Sequence, residues 1–482
     1  MATQALPYAY ITFIAARQQI SNRLYDSTQQ FWPPAEVGLY LIEALQTWNA
    51  LTGYWRGDYN FPTVQGQNWY NLTTVANTLR PLTVTDASVY QFILQQLLEP
   101  ATGPVSVQYT TDDIYEAIAR RRDELLSITG CTQTRTLLGV AVGRTTLSDQ
   151  VIDVRRIAYL PLLTNLTGAG YGLGPYGLGP YGISISPGNG QPLSNVLWAD
   201  DTWGNQSFQP LYTITPAGTP GRPNTYMLST QPPLSFDVDV PPAYGGSYEV
   251  ISVNAGPALN PAVPVPGSLS VPDDWVHVVK WGALADLFGR ESNAEDPLRK
   301  QYCETRYRMG AAILAKSPAL LAMRNGTVQL QIDSVREADL YRTTWQSESQ
   351  GNPNLAIYAG LNLLALAPAP DAGPLGVPYS LTATVVENAP LPVVDTDLVQ
   401  VARDDLDAVI DYAVHIAMLK TGGKEFSDSA QLLQRFMKQA ALYNTKLNEL
   451  GEFTEILYGL GKREQAMNPR LQDETVIEAT SG

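Results

Sequence analysis

Two histidines, His277 and His415, are the only imidazoles in a chain of 482 residues. Acid–base catalysis and metal binding both favour imidazole, so the neighbours of these two matter. No cysteine lies near either ring, and Asp411 stands four residues before His415. Such a pair shares a helix face and reads as a surface contact rather than a ligand set. Cys131 and Cys303 form no CxxC pair, so neither a zinc cluster nor a disulfide framework is expected, only two reduced thiols. There is no G-x-S-x-G elbow, P-loop, H-E-x-x-H helix or dinucleotide fingerprint. No metal site or cofactor is expected.

Carboxylates offer more. Asp112-Asp113, Asp200-Asp201, Asp273-Asp274 and Asp404-Asp405 are adjacent pairs. Three of them precede helical patterns, where acidic side chains satisfy free N–H groups and complement the dipole. Asp200-Asp201 differs, because Trp198 and Trp203 flank it. Aromatic platforms around an acid pair are what glycan cleavage needs. Neighbours on a strand point to opposite faces, however, so this pair cannot readily flank one bond. An aromatic interface loop is the simpler reading, and a non-enzymatic protein is expected.

Composition agrees with that direction. Charged residues make up 16%, against about a quarter in an average domain. Pro (35), Gly (38) and Tyr (26) are plentiful, which suits a surface covered by partners. A net charge of −15 opposes tight binding to nucleic acid or to an anionic membrane. It would suit a channel through which DNA slides without sticking. The N-terminus lacks a basic stretch ahead of an apolar one, so no signal peptide is expected, and no apolar run reaches membrane-spanning length.

The elements that would position these residues begin with helical patterns at about 9–25 and from Pro33-Pro34 to Gly53. The second carries Val37, Tyr40, Leu41, Ala44, Leu45 and Trp48 as one apolar stripe. A short β-like stretch follows at Trp69–Leu72. Thr85-Asp86 caps the next helix, and Thr110 with Asp113 forms a capping pattern for another that ends at Gly130. That helix holds Arg120-Arg121-Arg122, read either as a solvated face or as a contact for an acidic partner subunit.

From Cys131 to Val271 the texture turns to strands, with Leu234, Phe236, Val238 and Val240 alternating. Within it, Tyr171-Gly-Leu-Gly-Pro175 recurs at Tyr176 and begins again at Tyr181, an exposed loop with aromatic knobs. Asp274 and Asp405 then stand 131 residues apart. Each opens a helix, a glycine break (Gly289; Gly422-Gly423) and a longer second helix. The first helix of copy one is apolar on several faces and should be sandwiched. Ser427 or Asp428 should cap the second helix of copy two. Strands at Val328–Ile332 and Tyr379–Val385 lie between the copies, joined by an Ala367–Pro370 link. Trp32, Trp48, Trp275, Tyr302 and Phe436 should build cores.

These helical segments carry a resemblance. Phe31-Trp-Pro-Pro-Ala-Glu-Val-Gly-Leu-Tyr-Leu-Ile-Glu-Ala-Leu-Gln-Thr-Trp48 resembles the N-terminal helices of tailed-bacteriophage neck and head-to-tail connector proteins. So do Val279–Phe288 and Asp296–Tyr307. The resemblance covers under half the chain and consists of helix-packing patterns. Long β insertions and the Gly-Pro-Tyr loop depart from the small adaptors, which leaves open tail tube, nozzle and fibre-attachment roles. It implies a homo-oligomeric ring, twelve-fold or six-fold, between portal protein and tail or fibre proteins. It also implies a place in the virion neck or tail after assembly in the host cytoplasm, near genomic DNA without gripping it, and no membrane.

The expected fold class is α+β, with helical hairpins alternating with antiparallel β domains. The expected units are a helical region at 1–130, a β-rich domain at 131–271, a helix pair at 272–325, a β insertion at 326–397, a second helix pair at 398–450 and a polar tail at 451–482. The interface candidates are Tyr171, Tyr176, Tyr181, Trp198, Trp203, Arg120, Arg121 and Arg122. The rivals are a virion-associated glycan-degrading enzyme using Asp200 or Asp201 and a carbohydrate- or receptor-binding tail module that binds cells without cutting.

Overall fold

The structure, a computed structural model, describes residues 10–75, 84–97, 109–140, 144–161, 191–195, 223, 225–229, 233–239, 241–242, 246–259, 269–290, 296–317, 320–342, 345–346 and 348–444. It is mixed α+β. The helices are α1 (Phe13–Arg23), α2 (Pro34–Thr52), α3 (Leu72–Val75), α4 (Asp86–Gln96), α5 (Thr111–Thr129), α6 (Val276–Phe288), α7 (Pro297–Lys316), α8 (Val335–Tyr341), α9 (Arg403–Leu419), α10 (Gly423–Asp428) and α11 (Ala430–Tyr443).

Local signals set most helix ends. Thr12, Thr85 and Thr110 each accept an N–H from the first turn they precede, and Thr110 with Asp113 completes a capping box. Gly53 and Gly130 close α2 and α5 in the left-handed region, which a residue without a Cβ enters at no steric cost. The helix expected over 9–25 is shorter, because Ile11–Thr12 forms a strand and the chain leaves α1 through Tyr25 at φ 57°.

The helices form one layered body. At one end α1 packs on α2 and α9, and α11 covers α9. At the other end α5 and α4 pack on α6, and α7 lies along α6. One apolar core runs through the layer from Phe13 to Ala440 and includes Trp32, Trp48, Trp275, Tyr302 and Phe436. As expected, α6 is sandwiched: only Lys280 and Asp286 among its residues escape full burial. Gly310 lets α7 close on it, since a Cβ there would run into Val278. The twin pairs are less alike than their sequences imply. The second helix is longer in α6–α7 but shorter in α9–α11, and α10 intervenes, so Ser429 rather than Ser427 or Asp428 precedes α11.

The strands are β1 (Ile11–Thr12), β2 (Arg56–Pro62), β3 (Trp69–Asn71), β4 (Thr134–Gly139), β5 (Thr145–Thr146), β6 (Val151–Pro161), β7 (Gln191–Pro192), β8 (Ser194–Asn195), β9 (Thr225–Ser229), β10 (Ser235–Val238), β11 (Gly246–Asn254), β12 (Leu320–Asn325), β13 (Val328–Gln329), β14 (Gln331–Ser334), β15 (Leu355–Ala359), β16 (Leu363–Ala367), β17 (Ser380–Val386) and β18 (Leu398–Val399). Sheets β4-β11-β6-β7 and β5-β10-β9-β8 share an apolar core built on Tyr159, Tyr226, Phe236 and Tyr248. Sheets β13-β12-β17-β2 and β14-β15-β16-β3 lie nearer the helices, and β1 pairs with β18.

These pairings run across the expected units. Strand β2 pairs with β17 and β3 with β16, so the 1–130 region and the 326–397 insertion share sheets. Both helix pairs share the core of the N-terminal helices. The segments on either side of 130, 326 and 397 thus share a core and sheets. Val328–Ile332 is not one strand: Leu330 is buried at a pivot, β13 pairs with β12 before it and β14 pairs with β15 after it. The link around Ala367 follows an apolar hairpin, β15–β16, that alternation could not reveal because both its faces are buried.

Candidate functional site

The chemistry-bearing side chains converge in the interior of the helical layer. Helix α2 contributes Glu43 and Thr47, α6 contributes His277 and Lys280, α7 contributes Tyr302, Cys303 and Arg306, and α9 contributes Tyr412 and His415. Lys280 Nζ stands 3.4 Å from Glu43 Oε2. Arg306 donates to Tyr412 Oη and lies over the rings of Tyr412 and Trp281. Burial pushes the Glu43 carboxyl up, against the pull of Lys280 and Arg306. Burial also opposes the Arg306 charge, yet Tyr412, Tyr302 and Glu43 around it hold its pKa above the ordinary value.

Both histidines lie here as neutral rings. His277 Nδ1 donates to the Asp274 carbonyl at 2.8 Å. The order of protons around His415 follows from its partners. Ser429 Oγ donates to the Phe426 carbonyl at 2.6 Å, so it accepts from His415 Nδ1 at 2.8 Å. His415 Nε2 then accepts from Tyr302 Oη at 2.7 Å. A serine beside an imidazole invites a nucleophilic reading, but this hydroxyl points its proton away from the ring, and both residues are buried. Burial first, then the nearby Arg306 charge, lowers both histidines to about 3. Burial pushes the Cys303 thiol well up, so it stays protonated and inert. A cavity of about 30 Å³ borders Thr47, Trp275, His277, Trp281 and Arg306. That is room for a water or two, not for a substrate.

Other expected residues find structural partners. Asp411 does not face His415; it pairs with Arg23 and, at 3.2 Å, with Arg435. Asp113 completes the cap of its helix as expected by accepting Thr110 N–H, and Arg290 with Thr110 holds its carboxyl down at about 2. Asp273 and Asp274 stand in the first turn as expected, and their carboxylates also accept Val84 N–H and the Asn49 side chain across the fold. Asp405 likewise accepts from Gln439 and Tyr443 of α11.

Arg121 and Arg122 find partners within the chain. Arg121 binds Asp286 through two nitrogens and reaches Glu304 and Glu124, while Arg122 is buried against Asp123 and the Pro257 carbonyl. Arg120, its side chain 61% exposed, also pairs with Asp286, at 2.6 Å. Tyr171, Tyr176, Tyr181, Trp198, Trp203, Asp200 and Asp201 lie outside the described residues.

Sequence reasoning missed a second buried network. Arg156 on β6 donates to Glu249 on β11 at 2.8 Å, to Asp339 on α8 at 2.7 Å and to Gln346 at 3.0 Å. Arg135 holds the other Glu249 oxygen at 2.7 Å. A lone charge inside an apolar run was the available signal, as at Glu43, Lys280 and Glu249. Among the described residues no three His, Cys, Asp or Glu side chains converge to hold a metal, and no helix is long and apolar enough to cross a membrane. No protein-family model matches the chain, and no curated protein matches its sequence.

Proposed function

We propose that the chain is a structural virion protein of a tailed bacteriophage, one subunit of a homo-oligomeric ring in the neck that joins the portal to tail components. The observation that carries this reading is the use made of the ionisable groups. They fasten segments that lie far apart in sequence. Arg23 of α1 grips Asp411, 388 residues away, and Lys420 reaches Glu36, 384 residues away, at 2.9 Å. A chain tied end to end in this way holds its shape under load, as a connector must. Its acidic balance suits a wall that DNA passes without adhering. The two-sheet β module favours a second reading, attachment of fibres or a place in the tail tube or nozzle, because it builds an apolar core of its own.

Electron microscopy of the purified full chain tests the proposal. Closed rings of six-fold or twelve-fold symmetry are the expected result. Isolated single subunits at high concentration would overturn it.

A further inference from the structure

We infer that the cavity beside Arg306 is a binding site for one small monovalent anion of halide size, held inside the helical layer. The site is internal to one chain, so it stands whether or not copies form a ring.

A guanidinium rarely leaves water without a carboxylate to meet it, because desolvating a lone charge is unfavourable. Arg306 is 7% exposed, yet among the described residues no carboxylate forms an ion pair with it. It donates instead to the Tyr412 hydroxyl, which burial keeps neutral, and lies over the rings of Trp281 and Tyr412. Glu43 acts on Arg306 through its field, but its ion pair is with Lys280. Asp274, at the head of α6, gives its oxygens to Asn49 Nδ2 and the Ala389 N–H. Two cations, Lys280 and Arg306, therefore share one paired carboxylate, and a positive charge is left over in this interior.

The cavity borders that charge. It holds about 30 Å³, and its polar wall is Thr47, Trp275, His277, Trp281 and Arg306. Trp275 is 1% exposed, and no group among the described residues accepts from its Nε1. Buried N–H donors are nearly always partnered, so an orphan on a cavity wall calls for an acceptor within it. Trp281 Nε1 makes no formed bond either, though it lies close enough to Glu43 to favour that carboxylate. His277 commits its proton to the Asp274 carbonyl and supplies no donor. Met309 and Met437 add polarisable sulfur to the wall. An indole donor, an unpaired guanidinium and soft neighbours select an acceptor that is charged, small and polarisable. Chloride and bromide meet all three conditions. Room for a water or two admits either ion and excludes an organic acid. A neutral water would satisfy the indole but leave the charge.

The test is thermal melting of the full chain in sodium chloride, bromide or gluconate at equal ionic strength, with Trp275→Phe and Arg306→Gln beside the wild type. Chloride and bromide should raise the wild-type melting temperature along a saturating curve, since a ligand held only by the folded chain stabilises it by mass action. Gluconate, too large for the cavity, should give no such curve. Trp275→Phe keeps an aromatic ring and drops the donor. It should raise the half-saturating chloride concentration by about tenfold or more, the effect of losing one hydrogen bond to a charged group. Arg306→Gln should abolish saturation; if that variant does not fold, Trp275→Phe decides alone. A wild type that melts alike in chloride and gluconate would overturn the site and leave the cavity to water. A chloride response that Trp275→Phe leaves unchanged would overturn it too, by placing the ion elsewhere.

Discussion

At the scale of single residues, the interior decides what the ionisable groups do. His277 and His415 are buried neutral, with pKa values lowered to about 3 from the ordinary 6.5. A depressed histidine binds its proton more readily unfolded than folded. Stability is therefore full above the unfolded value and lost as pH falls below it. Between about pH 7.5 and 5.5 each ring should cost about 1.4 kcal/mol, about 3 kcal/mol for the two. Chemical denaturation at both pH values checks this, and His415→Gln should halve the loss. Glu43, whose pKa burial raises, works in the opposite direction at lower pH. Arg156→Met should cost about 3 kcal/mol or more, since Glu249 stays buried with less than its full set of cations. Adding Glu249→Gln should recover part of that loss in a double-mutant cycle. These pairings were only half legible. The sequence shows a lone charge in an apolar run, but not which distant charge meets it.

At the scale of elements, ends and stripes were readable and pairings were not. The cap at Thr110, the stop at Gly53 and the sandwiched α6 all follow from local chemistry. Thr110→Ala should cost about 1 kcal/mol by thermal melt, the usual worth of an N-cap. The hairpin β15–β16 escaped notice because burial on both faces erases the two-residue period. The sharing of sheets between β2, β3 and the 355–386 strands is a matter of tertiary contact across some 300 residues. No local pattern records such a pairing. The α6–α7 contact depends on the missing side chain at Gly310. Gly310→Val should destabilise by about 1–3 kcal/mol, as overpacking does, with a lowered melting temperature as the readout.

At the scale of the whole molecule, a duplicated helix pair was visible in the sequence, and one interlocked body emerged from it. The two copies flank a single core with the N-terminal helices rather than standing as separate bricks. The aromatic loop candidates, Tyr171 to Trp203, lie outside the described residues. Native mass spectrometry of the full chain at micromolar concentration tests the central claim most directly. One discrete closed oligomer, twelve or six subunits, is the predicted spectrum. A spectrum holding only the 52.6 kDa single chain would contradict the account.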